Sequence, residues 1–187
     1  MENLDVIYED NHIVVVVKPQ NVPSQADESG DLDMLSMVKA YVKEKYNKPG
    51  EAYIGLVHRL DRPTGGIMVF ARTSKAANRL SEQIKNGEFV KTYYCVTDGI
   101  PKESEGHLVN YLKKDDNIVK IVPMSETGAK RAETIYKVLE VEKNLALVKV
   151  NILTGRSHQI RVQMANIGAS LFGAGKYGKN ISKTKHL

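Results

Sequence analysis

The chain has 187 residues, 42% of them hydrophobic and 26% charged, a balance typical of a globular protein with room for a sizeable core. Its net charge is +5, and its single cysteine, Cys95, excludes an intrachain disulfide framework and a zinc site built on cysteine pairs. No apolar run approaches a membrane span and no basic-then-apolar leader opens the chain, so no membrane partner is expected and the expected compartment is the cytoplasm.

Val6–Tyr8 and Ile13–Val17 flank Glu9-Asp10-Asn11-His12 and read as a hairpin. Pro19 to Gly30 is rich in chain breakers and reads as a loop. Leu35, Val38 and Val42 recur at near-helical spacing, which predicts a helix from Leu32 to Tyr46 with Asp31 or Asp33 as its cap. The apolar runs Tyr53–Val57 and Ile67–Ala71 read as strands on either side of a charged loop. Ser74 to Lys85 reads as a second helix, capped by Ser74, with Ala77, Leu80 and Ile84 on one face and Gly87 at its end. Five strands follow in close succession: Phe89–Val96, Leu108–Leu112, Ile118–Val122, Ala132–Val141 and Leu145–Leu153. Spacing this tight favours hairpins over βαβ crossovers. The expected class is α+β, a mixed, largely antiparallel central sheet with flanking helices, in one domain over residues 1–187.

Two segments stand out chemically. His58-Arg59-Leu60-Asp61-Arg62-Pro63-Thr64-Gly65-Gly66 sets one carboxylate between two arginines in a loop between strands. Flanking cations favour the ionised form of Asp61. An ionised, positioned Asp can act as a nucleophile or stabilise positive charge on a sugar; a salt-bridged surface loop is the plainer alternative. Thr154-Gly155-Arg156-Ser157-His158-Gln159-Ile160-Arg161-Val162 follows an apolar strand. Thr154 or Ser157 is the expected cap of a short helix, with Ile160 and Met164 on one face and Arg161 near His158. Charge is uneven: residues 1–50 hold five Lys/Arg against nine Asp/Glu, and residues 51–187 hold 22 against 13. Both segments lie in the basic part, which favours a polyanionic partner.

Together these segments resemble the motifs His-Arg-Leu-Asp-x-x-Thr-Ser-Gly and Thr-Gly-Arg-Thr-His-Gln-Ile-Arg-Val of the RluA-type pseudouridine synthases. Lys91-Thr92-Tyr93 resembles that family's Lys-x-Tyr, and Ile7-Tyr8-Glu9-Asp10 through Val17-Lys18-Pro19 resembles its opening hairpin. The resemblance runs in order from Val6 to Gly178. It implies the isomerisation of a uridine in structured RNA, ribosomal or transfer, after the base has been flipped from its stack. It implies Asp61 as the essential carboxylate, nucleophile or base, Tyr93 as the ring that stacks on the pyrimidine, and Arg161 as the cation paired with the aspartate. Arg59 matches an arginine implicated in RNA distortion; Arg62, Lys91 and Arg156 are expected phosphate contacts.

The sequence departs from the family at Ser157, where Thr is usual, at Gln163 and Asn166, where His is common, and in the Gly173–Gly178 turn. Relatives typically continue into another strand past Leu187, so a C-terminally shortened chain is an expectation. No separate N-terminal RNA-binding domain and no obligate protein partner are expected. The five histidines show no close ligand pair, and Gly173-x-Gly175-x-x-Gly178 sits outside any βαβ unit, so neither a metal nor an organic cofactor is expected. Two other readings are an inactive RNA-binding protein of the same fold and a glycosidic-bond hydrolase.

Overall fold

The computed structural model describes residues 4–116, 118–173 and 177. The chain divides into two compact units, Met1–Phe89 and Val90–Leu187. The class is α+β, as expected, but the sheet is not a single mixed one. Each unit carries its own sheet, and every described pairing is antiparallel.

In the first unit, β1 (Val6–Glu9) and β2 (Ile13–Lys18) form the expected hairpin. The Asp10 carboxylate closes its turn, accepting from the N–H groups of His12 at 2.7 Å and Ile13 at 2.8 Å. β3 is only Gly55–Leu56, shorter than the apolar run around it, and β4 is Gly66–Ala71. The four strands lie in the order β1-β2-β4-β3, with Lys18 opposite Gly66. α1 (Met34–Lys45) starts at Asp33, whose carboxylate accepts from Ser36 N–H. It buries Met34, Val38 and Val42, while Leu35 lies at the margin of that face. α2 (Ser74–Asn86) is capped by Thr73 rather than Ser74, because Thr73 Oγ1 accepts from Ala76 N–H at 3.1 Å. Gly87 ends it at φ 77°, a conformation that costs glycine little. The core gathers Val14, Val16, Met34, Val38, Met68 and Phe70, all 0% exposed.

The second unit holds β5 (Lys91–Asp98), β6 (Glu105–Asp115), β7 (Ile118–Val122), β8 (Lys130–Glu142), β9 (Leu145–Ile152) and β10 (Ser170–Leu171). Their order is β10-β5-β9-β8-β6-β7. β6 and β8 outrun their apolar stretches, because polar residues at their ends still find ladder partners; Glu105, for example, pairs with Lys137. A bulge interrupts the β8–β9 register between Val138 and Glu140. α3 (Gln159–Asn166) buries Val162 and Met164, and Met164 packs in one cluster with Tyr136, Val148 and Val150. No helix among the described residues is long and apolar enough to cross a membrane.

Candidate functional site

The predicted site residues divide between the two units. Arg59, Asp61 and Arg62 lie on the β3–β4 loop of the first, and Lys91, Tyr93, Arg156 and Arg161 belong to the second.

In the first unit the loop is held chiefly through its backbone. Asp61 C=O accepts from Thr64 N–H at 2.9 Å, which closes a turn. Arg62 C=O accepts from Asn21 N–H at 2.8 Å and from Lys18 Nζ at 3.0 Å. Leu60, before Asp61, is buried, with both its N–H and its C=O on the hydroxyl of Ser24. His58 Nε2 accepts from Val69 N–H at 3.0 Å, so that ring nitrogen carries no proton and anchors the loop to β4. The His58 ring also meets Phe89, with centroids 5.7 Å apart. Asp61 is partly buried and Arg59 is exposed.

The Arg62 guanidinium is engaged with the Asp27 and Asp31 carboxylates and the Ser29 hydroxyl of the β2–α1 loop. Lys18 is a charge that the sequence reading left without a role. It is 0% exposed and donates to Pro19 C=O at 2.9 Å as well as to Arg62 C=O. Burial pushes its ammonium down to about 8, against the opposing pull of the Asp61 carboxylate. A signal for this was present. Val14, Val16 and Lys18 share one parity on β2, so the period of two that buries the valines also turns Lys18 inward.

In the second unit, Tyr93 projects from β5 to the side where Met164, Val148 and Val150 form the core, and Ile160 packs against the same cluster. Lys91 pairs with Ile152 in the β5–β9 ladder, which sets it beside the turn that follows β9; a Cβ built on Gly155 would lie 3.8 Å from its Nζ. Burial lowers the Lys91 pKa from its ordinary value. Arg156 is exposed and its Nε donates to Arg131 C=O at 2.9 Å. Arg161 is partly buried on α3.

The expected cap of α3 is also corrected. His158 precedes the helix at φ 51°, and no side chain caps the N-terminus. The buried amide of Gln159 organises the turn instead. Its oxygen accepts from Arg156 N–H at 3.0 Å and from Thr154 Oγ1 at 2.8 Å, and its nitrogen donates to Glu133 C=O and to Thr134 Oγ1 on β8. His158 Nδ1 lies 2.8 Å from the Tyr177 hydroxyl, which also accepts from Val119 N–H. The altered turn around Ala174 lies outside the described residues. Among the described residues no group of three or more His, Cys, Asp or Glu is placed to hold a metal ion.

The family described as RNA pseudouridylate synthase matches residues 12–166, a span that takes in both motif segments and the Lys91–Tyr93 stretch. The ribosomal large subunit pseudouridine synthase D of Zymomonas mobilis is 34% identical over 186 residues, 98% of this chain and 58% of that protein. The ribosomal large subunit pseudouridine synthase C of Rickettsia bellii is 33% identical over 177 residues, 94% of this chain and 57% of that protein. The chain thus spans less than two thirds of the length of these curated relatives. Among solved structures, human RNA Pseudouridylate Synthase Domain Containing 4 superposes with a TM-score of 0.81 at 26% identity, over 94% of this chain and 69% of that one.

Proposed function

The chain belongs to the RNA pseudouridylate synthase family, and from that premise we propose that it isomerises a uridine in large-subunit ribosomal RNA to pseudouridine, in the cytoplasm. The observation that carries the reading is the family match over residues 12–166, with Asp61, Tyr93 and Arg161 all present inside it. The ribosomal substrate is favoured over transfer RNA because the two bacterial relatives quoted above are named for the large ribosomal subunit.

In this reading the C1′–N1 bond of a flipped-out uridine breaks, the base turns, and C1′ bonds to C5. The C5 hydrogen leaves as a proton and N1 gains one, so the net change is an isomerisation. Asp61 is the carboxylate that acts on the sugar as nucleophile or base. Tyr93 stacks on the freed pyrimidine, a contact suited to any base face. Arg161 supplies the cation that keeps the carboxylate ionised. Arg59 stands in for the vacated stack, and Lys91 and Arg156 contact phosphates. Arg62 joins them if RNA draws it from Asp27 and Asp31. The base must stay enclosed beside the sugar, because water entering at that stage would hydrolyse the bond instead.

The test uses a large-subunit ribosomal RNA transcript labelled with tritium at uridine C5. Wild-type protein is expected to release tritium. Asp61→Asn is expected to lower the single-turnover rate by on the order of 10²–10⁴ while RNA affinity holds. Turnover by this variant at the wild-type rate removes Asp61 from the chemistry. RNA binding without tritium release by the wild type favours an inactive RNA-binding protein, and release of free uracil favours a hydrolase.

A further inference from the structure

The stretch Lys18–Ser24 grips the backbone on both sides of Asp61. On the C-terminal side, Arg62 C=O takes Asn21 N–H at 2.8 Å and Lys18 Nζ at 3.0 Å. On the N-terminal side, one hydroxyl serves a whole residue: Ser24 Oγ donates to Leu60 C=O at 2.7 Å and accepts from Leu60 N–H at 3.1 Å. Ser24 is 6% exposed and Leu60 9%. Leu60 lies in none of the described strands, so these two bonds stand where ladder bonds would otherwise satisfy it. A serine hydroxyl has one proton to give and lone pairs to receive, which matches the two demands of Leu60. Ser24 is itself anchored, because the adjacent Pro23 C=O accepts from Met34 N–H at 2.9 Å, the first residue of α1. A chain of contacts thus runs from a helix end, through one side chain, to the peptide that carries Asp61.

We propose that Ser24 is a positioning residue for the Asp61 carboxylate, acting through the backbone of Leu60. The inference rests on the reading of Asp61 as the reacting carboxylate. Removing the hydroxyl leaves two buried backbone groups of Leu60 unsatisfied, and the peptide moves toward other partners or water. Asp61, the next residue, moves with it. A displacement near 1 Å at a reacting group is enough to slow chemistry by about 10²-fold.

Ser24→Ala, Ser24→Thr and Asp61→Asn are compared with wild type on the tritium-labelled transcript, with single-turnover rate, RNA affinity and Leu60 amide exchange as readouts. Ser24→Ala is expected to slow the chemical step by about 10²-fold with affinity changed by no more than about twofold. Ser24→Thr, which keeps the hydroxyl, is expected to recover most of the rate. The Leu60 amide is expected to exchange about tenfold faster or more in Ser24→Ala, with the Val69 amide unchanged. If Ser24→Ala does not fold, Ser24→Cys, of similar size and weaker hydrogen bonding, takes its place. A wild-type rate in Ser24→Ala beside an inactive Asp61→Asn overturns the proposal and leaves the functional reading intact. Equal losses of rate and affinity overturn it as well, as does unchanged Leu60 exchange. An inactive wild type or a fully active Asp61→Asn defeats the functional reading, and the positioning role with it.

Discussion

Lys18 carries a positive charge inside the first unit, and this gives the fold a signature in pH. Its ammonium is lowered to about 8 in the folded protein from an ordinary 10.5, because burial disfavours the charged form. Between those two values the unfolded chain holds the proton and the folded chain has released it. Stability contributed by this group therefore rises with pH across that window, and the full cost of the buried charge is present below about 8. Lys18→Met removes the titration. The stability of wild type relative to this variant is expected to climb from pH 8 to 10.5, as read by urea unfolding at a series of pH values. A flat difference would show that the ammonium is not desolvated. Cys95 is a contrasting case: burial pushes its thiol up to about 11, so it stays protonated at neutral pH and is a packing residue of β5 rather than a nucleophile.

At the scale of elements, α3 is held to β6 and β8 by two buried amides rather than by a cap. Gln159 joins the motif turn to β8. Gln163, 0% exposed, accepts from Thr134 Oγ1 at 2.7 Å and donates to Asn110 Oδ1 at 2.8 Å and Leu108 C=O at 3.2 Å. A histidine at this position would have only two ring nitrogens to distribute among the same groups. Gln163→Leu keeps much of the volume but strands polar groups on both strands. It is expected to cost about 2–3 kcal/mol, measured by chemical unfolding. A loss below about 0.5 kcal/mol would mean that the network contributes little to the docking of α3.

At the scale of the whole molecule, charge follows the division into units. Met1–Phe89 holds 11 Lys/Arg against 13 Asp/Glu, and Val90–Leu187 holds 16 against nine. A polyanion is therefore expected to bind mainly through the second unit, with a steep dependence on salt. Arg156 and Arg161 separate the two tasks assigned to that unit. Arg156→Gln is expected to weaken RNA binding and make its salt slope shallower by about 0.7–0.9 while the chemical rate holds. Arg161→Met is expected to do the reverse, lowering the single-turnover rate far more than affinity. Affinities at several salt concentrations, set beside single-turnover rates, decide between them; a swap of the two outcomes would exchange the roles of the residues.

The sequence by itself determined what is encoded locally. Alternation and helical spacing located the helices and most strands, and two short motifs carried the family, because periodicity and motif spacing are properties of neighbouring residues. The tertiary structure decided what depends on distant residues. The run Tyr53–Val57 shrinks to the two-residue β3, and β6 extends past its apolar stretch, because ladder pairing sets strand ends. Arg62 turns to Asp27 and Asp31, more than 30 positions earlier in the chain. Ser24 finds Leu60 across 36 residues, and Lys18 finds Arg62 across 44. Such bonds form only after packing has expelled water from polar groups, which must then take whatever partner the fold brings within reach.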